Sequence, residues 1–141
     1  MDMNEWFALQ QKTVATKIKK GVETAKRAQG GKNPDTTRAG LTATFDIMEV
    51  ELFKLLNEVV TRRASYDDLV RFENNCLQYI TQVFKNFDHE LAACGDLSLK
   101  AEKDKREREL LLKLHNEINS QQKFAKSRTY KFFSDMFNKK K

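Results

Sequence analysis

The side chains near the start of this chain that could do chemistry are mostly cations. Drawn as a helix at about 100° per residue, Lys12, Lys19, Lys20, Lys26 and Arg27 share one face. Met3, Phe7, Val14, Ile18, Val22 and Ala25 share the opposite one. A helix with that division can lie against an anionic interface, with its cations meeting head groups or phosphates. Trp6 and Phe7 would then be the membrane-inserting wedges. The plainer reading has the apolar stripe packed on neighbouring helices and the lysines in water. A second cationic group, Lys139, Lys140 and Lys141, follows Tyr130, Phe133 and Phe137. Those rings form an apolar face that needs a partner or a lipid surface to cover it.

The other reactive residue types lack a working geometry. His89 and His115 are too far apart for a metal pair, and Asp88-His89-Glu90 points adjacent side chains to different helix faces. No HExxH, paired CxxC, P-loop or GxGxxG is present, and Gly30-Gly31-Lys32 has no strand before it. Asp46, Glu49, Asp67 and Asp68 read as exposed helix faces and caps. Cys76 and Cys94 sit on or beside an apolar seam, as small buried hydrophobes of a reducing compartment do. The expectation is a non-enzymatic protein without metal, cofactor or small-molecule substrate.

The elements that must position these residues are helices. One Pro and five Gly in 141 residues leave little room for a turn-rich β fold. Residues 1–29 read as the basic amphipathic helix and 30–40 as a Gly/Pro linker, with Asp35, Thr36 or Thr37 as a cap. Between Gly40 and Gly95 neither Gly nor Pro occurs. Leu41, Phe45, Met48, Leu52, Leu55, Val59, Tyr66, Leu69, Cys76, Ile80, Val83, Phe87 and Cys94 recur there at spacings of three and four. As one helix this run would reach roughly 80 Å. Ser65-Tyr66-Asp67-Asp68 resembles an N-cap, but Thr61-Arg62-Arg63-Ala64 supplies no turn chemistry.

A helix stop at Cys94-Gly95 and a final helix from Ser98 to about Asn138 complete a long-helix hairpin over 41–138, with 139–141 as a basic tail. The charged stretch Lys100–Glu109 reads as a solvated helix held by i,i+4 pairs. The expected fold is all-α, an elongated antiparallel long-helix coiled coil with an N-terminal amphipathic basic helix. The alternative is a compact four-helix bundle broken near Ser65.

Charge is unevenly spread. The net charge is +6, with balances of +4 in residues 1–32, −4 in 41–94 and +6 in 95–141. An acidic partner would use this asymmetry, and so would pairing within the chain. No apolar run approaches the ~20 residues of a membrane span. The expected location is cytoplasmic, with peripheral attachment to a membrane as an option.

The pattern of basic amphipathic helix, linker and long heptad-like helix resembles the BAR-domain superfamily, in its sorting-nexin-like and arfaptin-like branches. The residues that carry the likeness are Asn33-Pro-Asp-Thr-Thr-Arg-Ala-Gly-Leu41 and Glu49-Val-Glu-Leu-Phe-Lys-Leu-Leu56, followed by Arg62, Arg63, Tyr66 and Phe72. The resemblance covers about residues 6–94 and implies an elongated helical dimer on curved anionic membranes. After Gly40 this chain has room for two long helices, where that family has three. The functional expectation is a helical scaffold that binds an anionic membrane surface, a helical protein partner or a second copy of itself. The alternatives are a nucleic-acid-binding accessory protein using the basic ends, and a coiled-coil subunit whose seam another protein completes.

Overall fold

The computed structural model describes the backbone of residues 2–29, 34–95 and 97–139, and the side chains of 2–29, 35–93, 95 and 97–123. These residues form four helices: α1 (Met3–Gln29), α2 (Pro34–Thr61), α3 (Tyr66–Cys94) and α4 (Leu97–Lys139). No strand occurs among the described residues. Pro34 opens α2, inside the segment expected to be linker, because a first-turn position needs no backbone N–H. Asp2 caps α1 by accepting from the Glu5 N–H at 2.8 Å.

Contacts between helices give an up-down-up-down bundle. Lys17 meets Glu51, so α1 and α2 run antiparallel. Asn4 bonds Asn75 and Lys26 reaches Glu90, so α1 and α3 are parallel. Arg38–Glu102, Arg106–Thr42 and Lys113–Glu49 keep one constant register between parallel α2 and α4. On that register the end of α2 stands level with position 125, and α4 continues to Lys139.

The run from Leu41 to Cys94 is two helices. Backbone bonds from Arg63 N–H to the Val60 carbonyl (2.9 Å) and from Ala64 N–H to the Val59 carbonyl (3.2 Å) close α2 in a Schellman motif. The left-handed position of that motif, normally Gly, is Arg63 at φ 55°. A side chain there costs about 1 kcal/mol relative to glycine. Ser65 then caps α3, its hydroxyl accepting from the Asp68 N–H at 3.1 Å. The seam breaks where the residue types alone showed no turn.

One hydrophobic core joins all four helices. Leu41, Phe45, Met48, Leu52, Leu55 and Val59 are buried as the spacing predicts, and Leu69, Cys76 and Ile80 as well. Beyond the turn the stripe follows α3's own phase. Phe72, Tyr79, Phe84 and Leu91 are buried, Val83 and Phe87 are partly covered, and Tyr66 is exposed. The side chain of Cys94 lies outside the described set. Phe84 stacks on Phe45 with centroids 3.9 Å apart, which locks α3 to α2. Gly21, unfavourable inside a helix, lets α1 approach α2, because a Cβ there would collide with Ile47.

Candidate functional site

Ion pairs inside the bundle consume much of the charge asymmetry. Bases of α1 and α4 meet acids of α2 and α3: Lys17–Glu51 (3.0 Å), Lys26–Glu90 (2.5 Å), Arg38–Glu102 in the reverse sense (3.2 Å), Arg106–Asp46 (3.4 Å) and Lys113–Glu49. Lys103 goes further. It is 5% exposed, occupies a core position of α4 between Leu99 and Leu110, and donates to Asp88 at 2.8 Å. Asp104 and Glu107 stand 3.7 Å from the same ammonium. The stretch Lys100–Glu109, expected to be a solvated helix held by i,i+4 pairs, has such a pair in Lys103–Glu107 but buries that cation. Burial opposes the Lys103 charge, but the Asp88 hydrogen bond and the three carboxylates hold it above the ordinary lysine range. Glu107 is pushed upward chiefly by burial, against the pull of Lys103.

The basic face of α1 separates into two groups. Lys12, Lys19 and Lys20 are exposed and have no ion pair among the described residues. Lys26 is partly buried in its bridge to Glu90, and Arg27 lies 3.9 Å from Glu23 one turn back. Between Glu5 and Glu23 the helix carries no acid at all. Leu9, half-exposed, shares the outer surface.

The two aromatic residues beside this face are not free wedges in the bundle. Phe7 is 3% exposed and packs edge-on against Phe72 and Tyr79, with centroids 5.9 and 6.4 Å away. Its ring belongs to the core, because it falls on the same stripe as Val14 and Ile18. Trp6 is partly covered and carries the Arg62 guanidinium over its ring. Tyr130, Phe133, Phe137 and Lys139 lie on the helical backbone of α4, with side chains outside the described set, and Lys140 and Lys141 lie outside the described residues.

A second cationic cluster becomes visible once α2 and α3 are separate. Arg62, Arg63 and Arg71 line a cleft of about 290 Å³ together with Asp2, Met3, Trp6, Val59, Ala64 and Asp68. None of the three arginines has an ion pair among the described residues. The sequence hides this site because Arg62 and Arg63 converge with Trp6 and Arg71 only through the turn.

Reactive groups elsewhere are quiet. Cys76 is buried and reduced, and burial, with the nearby Glu73 carboxylate, drives its thiol far up in pKa. Burial also raises Tyr79, whose hydroxyl has no hydrogen-bond partner among the described residues. His115 pairs with Glu73 at 2.5 Å, away from His89. Among the described residues no cluster of three or more His, Cys, Asp or Glu could hold a metal ion, and no helix is long and apolar enough to cross a membrane. No family model matches the chain, and no curated protein or solved structure is significantly similar to it.

Proposed function

We propose that this chain is a non-enzymatic helical module that docks on an anionic membrane surface through the outer face of α1. The observation that supports it is the exposure of Lys12, Lys19 and Lys20 without acidic partners among the described residues, on a helix with no acid between Glu5 and Glu23. Lysines are mobile point charges suited to a diffuse field of head groups, each contributing about 1 kcal/mol near such a surface. The docking is electrostatic and leaves the bundle closed, since Phe7 is committed to the core. In this reading the four helices act as one self-contained bundle, with the seam covered from within the chain instead of by a dimer partner. The likeness to the BAR superfamily agrees with the membrane and contributes nothing to the choice of face.

Co-sedimentation with phosphatidylserine vesicles, with duplex DNA present as competitor, tests the proposal. The triple variant Lys12→Gln, Lys19→Gln, Lys20→Gln should weaken binding on the order of 100-fold, from about 1 kcal/mol per lysine. Sedimentation that persists unchanged in the triple variant removes α1 as the docking face. Loss of sedimentation to duplex competitor would instead assign the face to nucleic acid.

A further inference from the structure

We infer that the cleft at the α2–α3 corner is a binding site for a phosphate monoester. The inference stands apart from the docking proposal, whose lysines, Lys12, Lys19 and Lys20, do not line this cleft. Three arginines line one cleft, two from the turn after α2 (Arg62 and Arg63) and one from the second turn of α3 (Arg71). The planar fork of arginine matches phosphate oxygens two at a time, and three forks can meet a dianion from different directions.

The cations outnumber the acids in the cleft, three to two. Two acids share the cleft, yet neither forms an ion pair with an arginine. Asp2 is occupied as the cap of α1, accepting from the Glu5 N–H. Asp68 sits in the first turn of α3, where the helix dipole favours a carboxylate. The N-termini of both α1 and α3 open at this corner and add positive potential, while the C-terminus of α2 opposes them. Arg62 is parked over Trp6, at 5.6 Å from the ring centroid, instead of on a carboxylate.

The turn itself is the second observation. Its left-handed position accepts glycine without strain, and the chain places an arginine there, at φ 55°. Backbone strain that glycine would relieve, spent at the rim of a cleft, points to a use for that side chain. Met3, Trp6, Val59 and Ala64 give the remaining wall an apolar character, suited to a small organic group carrying the phosphate. The shared chemistry is the phosphomonoester dianion, whether on a soluble molecule or on a lipid head group.

Trp6 is the chain's single tryptophan and stands in the cleft, so its fluorescence reports occupancy. Titration with phenyl phosphate at constant ionic strength should give a saturable change as the anion draws Arg62 from the indole. Arg63→Gly and Arg71→Gln should each weaken it about tenfold or more, the loss of a charge-assisted bond. Arg63→Gly also relieves the backbone, so a folded variant that binds more weakly is the expected result. If the natural phosphate is lipid-borne, vesicles of phosphatidic acid, a monoester, should move the Trp6 signal where phosphatidylserine, a diester, does not. The Lys12, Lys19, Lys20 variant should retain the Trp6 response to phenyl phosphate, which separates this site from the docking face. A signal that never saturates with either probe, or an affinity that Arg63→Gly leaves untouched, overturns the inference.

Discussion

Arg62 lies over the ring of Trp6, 5.6 Å from its centroid, and so ties the first turn of α1 to the end of α2. The two residues are far apart in sequence, and their contact exists only because α2 stops at Thr61. A cation over an indole at a partly exposed site contributes about 0.5–1 kcal/mol. Arg62→Gln should therefore lower the unfolding free energy by about that amount and shift Trp6 emission. Urea titration followed by fluorescence and by circular dichroism checks both effects. An unaltered emission spectrum would show that the guanidinium does not rest there in solution.

Phe7 separates a packing role from a membrane role. Its ring packs against Phe72 and Tyr79 across the α1–α3 interface. Phe7→Ala should cost about 3–5 kcal/mol, the range for emptying a buried aromatic site. Vesicle binding per folded molecule should stay at the wild-type level, because the lysines remain. A variant of normal stability that fails to sediment would restore Phe7 as a wedge.

The corner at Arg63 explains what sequence reading captured and what escaped it. The apolar stripes were legible because burial in a helix leaves a period near 3.6, and Leu41, Met48, Leu52 and Ile80 follow it into the core. The break near Ser65 was legible only as the alternative, because the Schellman position holds Arg63 where glycine would have signalled a stop. Ser65 and its acids mark the next helix start, but Thr61-Arg62-Arg63-Ala64 offers no turn chemistry to separate it from α2. Missing the stop carried over to the arginine cleft, which long-range folding alone assembles. Lys103 escaped for a related reason: its carboxylates come from α3 as well as α4, so local charge density reads as solvated.

The same corner yields a pair of opposite stability changes. Arg63→Gly should raise the unfolding free energy by about 1 kcal/mol, since glycine adopts the left-handed backbone without a Cβ clash. Ser65→Ala should lower it by about 1 kcal/mol, leaving the Asp68 N–H without its cap. Thermal melts of the two variants and their combination check the signs, with the double variant near wild type. Destabilisation by Arg63→Gly would mean that its side chain carries native contacts worth more than the strain.

Lys103 makes alkaline stability the most direct test of the bundle's polar layer. Asp88, Asp104 and Glu107 raise its folded pKa above the unfolded value of about 10.4. The stabilisation is thus fully present below about pH 10.4 and fades as pH climbs through the folded pKa. Tyr79, raised by burial, acts with the same sign, so the decisive quantity is the difference between wild type and a Lys103 variant. Lys103→Met should lose about 1–3 kcal/mol at neutral pH, because Glu107, 18% exposed, keeps its burial without its cation. The variant's own pH profile should then run the other way from a salt-bridged acid. With a folded pKa above its unfolded value, Glu107 favours the fold below about pH 4.3 and loses that advantage as pH rises through the folded value. Adding Glu107→Gln to Lys103→Met should recover part of the neutral-pH loss, since no buried carboxylate is left unpaired. Denaturant titrations of wild type, single and double variants across the pH range give the full comparison. Parallel alkaline profiles for wild type and Lys103→Met would exclude a raised lysine in the core.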